Sequence, residues 1–195
     1  MKAQFPTRRY EQVAYVLDYL PQGRPADRRM TYQREQLVQA VGESFFTLLE
    51  LIPRRNVQFS PRERLVIGKD GGQKIDHVKG RIQYEDLTAV ARNELVVVIE
   101  SVINSDEDRF TKFFNNAGPI TTRLHQLQLL PGVGKKTMWE ILEERKKKPF
   151  SSLADLVERV RIQDPKKIII KRIMTELQTE DKYQVFTWKY KTLQQ

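Results

Sequence analysis

The chain contains no cysteine. That excludes disulfides, thiolate zinc sites and iron–sulfur clusters. Histidine is nearly as scarce. His77 and His125 stand far apart without metal-ligand spacing, so neither a metal nor a cofactor is expected. No apolar run approaches the ~18 residues of a membrane span, and Met1 to Arg9 lacks the apolar centre of a signal peptide. A cytoplasmic protein without a membrane partner is the expectation. No Ser-His-Asp set, paired acidic metal site or Walker-type loop is recognisable, which favours a non-enzymatic role. Internal repeats and low-complexity segments are absent as well.

What is present is positive charge. The 195 residues carry 34 Lys and Arg against 25 Asp and Glu, a net +9 that favours polyanionic partners. Its distribution is uneven. Residues 1–84 hold 15 basic against 9 acidic side chains, residues 85–122 hold 3 against 7, and residues 123–195 hold 16 against 9. Two basic units joined by an acidic segment are implied. The apolar content of 39% with 30% charge suits folded globular units.

The first unit reads as strands. Val13 to Leu20 is aromatic and β-branched, and Pro21-Gln22-Gly23 closes it. Arg24 to Arg29 is a basic loop. Gln36 to Ala40 and Ser44 to Ile52 suggest two strands around Gly42 and Glu43. The second also fits a helix by period, but Pro53 and its short neighbours favour strand. Arg54-Arg55 is placed in a turn, Arg64 to Gly68 in a short strand, and Lys69-Asp70-Gly71-Gly72 in another turn. From His77 to Tyr84, Val78, Gly80 and Ile82 alternate with Lys79, Arg81 and Gln83 as a strand. About five short strands point to a small β-barrel of the OB-like or S1-like kind over residues 1–84.

Helical period follows. Leu87, Val90, Ala91, Leu95, Val98, Ile99, Val102 and Ile103 recur at three- and four-residue steps between Asp86 and Asn104. Ser105-Asp106 caps a second helix carrying Phe110, Phe113 and Phe114, which stops at Asn116-Ala117-Gly118-Pro119. Residues 85–118 are thus a helical connector. The overall class is α+β. A C-terminal all-α domain is expected over residues 119–180, and a strand-like tail over 181–195 that could pair with the barrel.

The most informative stretch runs from Leu129 to Thr137. Leu-Pro-Gly-Val-Gly-Lys-Lys-Thr separates two predicted helices, Arg123 to Leu130 and Thr137 to Lys148. Gly132 and Gly134 can take positive φ and admit a close backbone approach. A helix opening just after them offers unpaired amides and a positive dipole end to a phosphate. Gly132, Val133, Gly134 and Lys135 would donate amides, Lys135 and Lys136 charge, and Thr137 a hydroxyl. Downstream, Pro149-Phe150-Ser151-Ser152-Leu153-Ala154-Asp155-Leu156 starts another helix, capped at Ser151 or Ser152. Pro165 to Leu177 forms a further one after Arg161-Ile162-Gln163-Asp164. Arg145-Lys146-Lys147-Lys148 either complements a helix dipole or adds phosphate contacts through Lys146 and Lys147. On the barrel, Arg54, Arg55, Lys79 and Arg81 become contacts only beside exposed aromatics such as Tyr15, Tyr19 or Tyr84. Those tyrosines are read first as core.

These motifs resemble tandem helix-hairpin-helix domains of the DNA-uptake type. The resemblance implies sequence-independent binding of phosphates, with a second hairpin around Arg161-Ile162-Gln163-Asp164 that lacks glycine and serves packing. The turn is also similar to that of base-excision glycosylases, where a lysine at the Lys136 position is the nucleophile. Such a lysine needs an aspartate partner, and Asp155 lies in a different context from the family's. Over most of its length the chain resembles an archaeal family known as domain of unknown function 655. Val78-Lys79-Gly80-Arg81-Ile82-Gln83-Tyr84-Glu85-Asp86-Leu87-Thr88 and Phe113-Phe114-Asn115-Asn116-Ala117-Gly118-Pro119 carry that likeness. It implies a nucleic-acid-binding role and supplies no catalytic residue. The expectation is a non-catalytic nucleic-acid-binding protein, RNA favoured over DNA because such a barrel suits single strands. The alternatives are a protein-interaction module in a translation or repair assembly and, remotely, a glycosylase-like enzyme.

Overall fold

A computed structural model describes residues 10–24, 35–68, 72–179 and 181–187. Strands β1 (Val13–Leu20), β2 (Leu37–Gly42), β3 (Leu48–Pro53), β4 (Arg64–Val66) and β5 (Ile75–Arg81) form one sheet. Helices α1 (Ala89–Ser105), α2 (Glu107–Asn116), α3 (Lys135–Lys147), α4 (Leu153–Arg159) and α5 (Pro165–Gln178) follow. A ribbon of β6 (Pro119–Thr121) and β7 (Leu124–His125) lies between α2 and α3. The chain divides into two compact units, 1–94 and 95–195, with the boundary inside α1. The predicted connector, 85–118, is therefore shared between them.

In the first unit the strand order is β4-β1-β2-β3-β5 and every pairing is antiparallel. The sheet curls as a half-barrel. The pairings make β4 and β5 run in the same direction, and among the described residues these edges do not join. Alternate side chains build the core. Ala14, Val16, Val38, Ala40, Leu49, Leu51, Leu65 and Ile75 form one buried cluster, flanked by Tyr19, Phe59 and Ile67. β2 is buried along its whole length. Gln39, 1% exposed, is satisfied by donating to the Asp86 carbonyl at 2.9 Å and accepting from the Thr88 amide at 2.9 Å. Thr88 in turn accepts the Ala91 amide at the head of α1.

Several boundaries differ from the sequence reading. Residues 44–47 are a turn, and β3 begins only at Leu48. The buried carboxylate of Glu11 accepts the amides of Ser44, Phe45 and Thr47, and Phe46 takes a left-handed φ of 51°. Those amides are thereby withdrawn from the ladder. A β-carbon on Gly42 would stand 2.0 Å from Glu11 Cδ, so this turn depends on glycine there. β5 ends at Arg81, before the 3-10 turn Tyr84–Asp86, whose Asp86 carboxylate accepts the Gln83 amide. The turn predicted at 69–72 lies outside the described residues except for Gly72, as does the basic loop beyond Arg24.

In the second unit two caps fall where the sequence places them, and the third, at Asp164, is added by the structure. Asp106 accepts the Arg109 amide, Ser152 accepts that of Asp155 and Asp164 accepts that of Lys167. Phe113 packs on Phe114 and Phe186, with ring centroids 5.5 and 4.9 Å apart. Asn115 clamps Phe150 by a reciprocal pair, 2.9 Å to its carbonyl and 2.8 Å from its amide. The expected C-terminal strand is absent from residues 181–187. That segment instead wraps the Glu176 carboxylate of α5 through the amides of Val185, Phe186 and Thr187. Within the described residues the tail therefore bonds to the helical unit. The remainder of the predicted tail, 188–195, lies outside them.

Candidate nucleic-acid interface

The predicted helix Arg123 to Leu130 does not form. Leu124 and His125 belong to β7, and Gln126–Leu129 is a single 3-10 turn. The cause is at both ends. His125 accepts the Leu127 amide through Nδ1, and Gln128 accepts the His125 amide, which closes a short capped turn. Pro131 then holds Leu130 in extended conformation, ψ 130°, and stops propagation. Leu127 and Leu130 are nevertheless buried, as their spacing requires. Burial, and secondarily the charge of Arg145, holds the His125 imidazole below its ordinary pKa of 6.5.

The glycine turn follows. Gly132 has φ 81°, the left-handed region that favours glycine. Val133 is 5% exposed, and its amide bonds back to the Leu130 carbonyl, so this side chain anchors the turn and faces inward. Gly134 differs from expectation. Its φ of −82° and ψ of −178° are open to any residue, and it is the N-cap of α3 without a side-chain cap. A β-carbon at Gly132 or Gly134 would meet no protein atom within 4 Å. Among the described residues the amides of Gly134, Lys135, Lys136 and Thr137 have no acceptor, and the first helical bond runs from Met138 to the Gly134 carbonyl. Lys135 and Lys136 are exposed, Thr137 is half-buried, and none pairs with a carboxylate among the described residues.

The basic run at the other end of α3 lies about 15–20 Å away along the helix axis. Arg145 is not part of a cationic face. Its Nη1 donates to the carbonyls of Phe114 and Ala117, capping α2. Lys147 pairs with Glu144 at 2.6 Å, while Lys146 is exposed without a partner among the described residues. Arg159 Nη2 donates to the Glu144 and Lys148 carbonyls and so caps α3 itself. Sequence inspection missed this arginine, and only long-range packing reveals it.

The glycine-free second turn at 161–167 has a left-handed residue all the same. Asp164 adopts φ 42°, and its carboxylate occupies the amide of Lys167 at the head of α5. With Pro131, Gly132, Gln163, Lys167 and Lys171 it lines a shallow hollow beside the glycine turn. A carboxylate at that helix end takes the position an anion would need.

In the first unit the proposed contacts are largely engaged. Arg54 donates to the Ile75 carbonyl, Lys79 lies 3.2 Å from Glu35, and Arg55 and Arg81 are exposed. The tyrosines are half-buried. Tyr15 donates to Glu43 at 2.8 Å, Tyr19 packs on Phe59, and Arg92 lies over Tyr84. Burial foremost, then the Glu43 carboxylate, raises the Tyr15 pKa. The exposed aromatics are two that the sequence reading does not single out, Tyr10 at 58% and Trp139. Trp139 on α3 is 57% exposed, on the face opposite Met138 and Ile141. Its position four residues after Lys135 was the available signal.

No helix among the described residues is long and apolar enough to cross a membrane. Among those residues no group of three His, Asp or Glu is arranged to hold a metal. The chain is 48% identical over 185 residues to an uncharacterised protein of Methanocaldococcus jannaschii, covering 93% of this chain and 82% of that relative. The crystal structure of Af1531 from Archaeoglobus fulgidus superposes with a TM-score of 0.82 at 49% identity, covering 91% of this chain and all of that one. The model of a protein family of unknown function, DUF655, matches residues 10–188, and the chain belongs to that family.

Proposed function

We propose that this protein binds nucleic acid without catalysis, holding backbone phosphates at the turn Gly132 to Thr137 as a helix-hairpin-helix element does. The observation that carries the reading is the open end of α3. Its amides from Gly134 to Thr137 lack acceptors, two exposed lysines flank them, and both glycines leave the approach clear. A phosphate oxygen satisfies such amides and the helix dipole together. Contacts of this kind position a backbone and read no sequence. Lys146 adds charge farther along the same helix. RNA is favoured over DNA, with the curled sheet of the first unit as an auxiliary surface of OB-like type.

A lysine nucleophile at Lys136 is disfavoured by its would-be partner. The Asp155 carboxylate accepts the amide and hydroxyl of Ser151 and pairs with Arg159 at 3.3 Å. These bonds, the Ser151 amide foremost, hold its pKa below the ordinary value.

Filter binding of single- and double-stranded RNA and DNA at two salt concentrations tests the proposal. Each phosphate held contributes a slope of about −0.7 to −0.9 in log affinity against log salt. Gly134→Asp with Lys135→Glu and Lys136→Glu is expected to abolish binding. Affinity that ignores salt, or survives this triple change, overturns the reading and leaves docking to a protein partner as the alternative.

A further inference from the structure

Most rings of the helical unit are packed away. Phe110, Phe114 and Phe150 are buried, Phe113 and Phe186 stack on each other, and Arg159 lies over Phe150 at 4.5 Å. Trp139 is the exception, 57% exposed, with no ring or cation on either face among the described residues. It sits one turn into α3, about 6 Å along the axis from Lys135. Helical side chains lean towards the N-terminus, so this indole covers the surface next to Lys135, Lys136 and the open amides. The molecule thus presents a bare aromatic face beside an anion-binding end.

We propose that Trp139 stacks on an unpaired base of a single-stranded nucleic acid whose adjacent phosphate is held at the glycine turn. The inference rests on the phosphate-binding reading above and adds the strand type. A duplex offers phosphates to the turn but keeps its bases stacked inside, where the indole has no access. A single strand satisfies the amides, the lysines and the ring at once. The charge of the surroundings selects this occupant over an apolar protein segment, which would leave the amides and both lysines unmatched.

Oligo(U) and a duplex of equal length are titrated into the full chain at low salt. Trp188→Phe serves as background, so that the emission is that of Trp139. Stacking predicts quenching of Trp139 by the single strand. It also predicts a loss of about 5- to 150-fold in single-strand affinity for Trp139→Ala. Duplex affinity is unchanged and Trp139→Phe keeps most of the binding. Single-strand affinity within about twofold of the parent, or equal losses on single strand and duplex, overturns the stacking role. If the glycine–lysine triple variant still abolishes binding in that case, the phosphate site stands alone. If the triple variant binds like the parent, the phosphate reading falls and takes this inference with it.

Discussion

Arg145 donates to the carbonyl oxygen of Ala117 at 2.8 Å, and the same Nη1 reaches the Phe114 carbonyl at 3.0 Å. The guanidinium stands where the last turn of α2 would otherwise leave carbonyls unpaired. Burial depresses its pKa, as expected of a cation held among backbone oxygens without a carboxylate partner. Arg145→Gln should therefore cost about 1–2 kcal/mol, the worth of charge-assisted bonds at a half-buried site. The thermal midpoint would fall by about 2–8 °C. Lys146→Gln, one residue on and without a partner among the described residues, should change stability by less than about 0.5 kcal/mol. Equal effects of the two substitutions would show that the run acts as one charged patch.

Glu176 is fully buried and paired with Arg172 at 2.8 Å. Its oxygens also accept the amides of Val185, Phe186 and Thr187 and the Thr187 hydroxyl. Arg172 reaches on to the Tyr183 carbonyl and to Asp181. One carboxylate thus fixes the segment 181–187 to α5. Glu176→Gln places an NH2 against amide donors and leaves Arg172 with the half-exposed Asp181 as its remaining carboxylate, at a cost of about 3 kcal/mol. Urea denaturation should register that loss, and limited proteolysis should cut within 181–187 in the variant before the parent is touched.

Helices α2, α4 and α5 were legible because period and start signal agree, whereas α1 was legible from its period alone and begins at Ala89 instead of the expected Asp86. Asp106, Ser152 and Pro165 mark starts that hydrophobic spacing alone would blur. β1 and β2 were legible for a similar reason, since Pro21-Gln22-Gly23 and Gly42 bound them. The segment 123–130 was misleading because a strand and a 3-10 turn bury Leu127 and Leu130 and half-bury Leu124 at the spacing of a helix. Side-chain capping by His125 and Gln128 decided the backbone there, and propensity carries no trace of it. Residues 44–47 and 181–187 failed alike. Glu11, more than 30 residues away, captures the first set of amides, and Glu176 on the preceding helix captures the second. At the candidate site the turn itself was readable from Pro-Gly-x-Gly. Which cations remain free was not, since Arg145, Lys147 and Arg159 are committed through folded contacts.

The two glycines of the turn separate folding from binding. Gly132 needs its left-handed φ of 81°, so Gly132→Ala should cost about 1–2 kcal/mol although its β-carbon meets nothing. Gly134 has ordinary dihedrals and caps α3 without a side chain. Gly134→Ser supplies the missing cap, so stability should rise by a few tenths of a kcal/mol. Its hydroxyl would occupy an amide and crowd the approach, so nucleic-acid affinity should drop at the same time. Differential scanning calorimetry and filter binding on one preparation read both. A Gly134→Ser protein that is more stable and binds as well as the parent would remove the role given to the open helix end.

His125 couples the hairpin entry to pH. Its Nδ1 accepts the Leu127 amide at 3.2 Å, which requires the neutral ring with its proton on Nε2. Burial and Arg145 lower its pKa from the ordinary 6.5. The unfolded chain therefore takes up a proton before the folded one does. By linkage this contribution to stability is complete above about pH 6.5, is lost as pH falls towards the folded pKa, and levels off below it. His125→Asn keeps an acceptor for the Leu127 amide and cannot protonate. Urea midpoints measured from about pH 7 to about pH 5.5 should fall more steeply for the parent than for His125→Asn. The depressed carboxylates Glu107, Glu144 and Asp155 are common to both proteins and cancel in the comparison. Parallel curves would mean that the imidazole is not the acceptor that closes the turn.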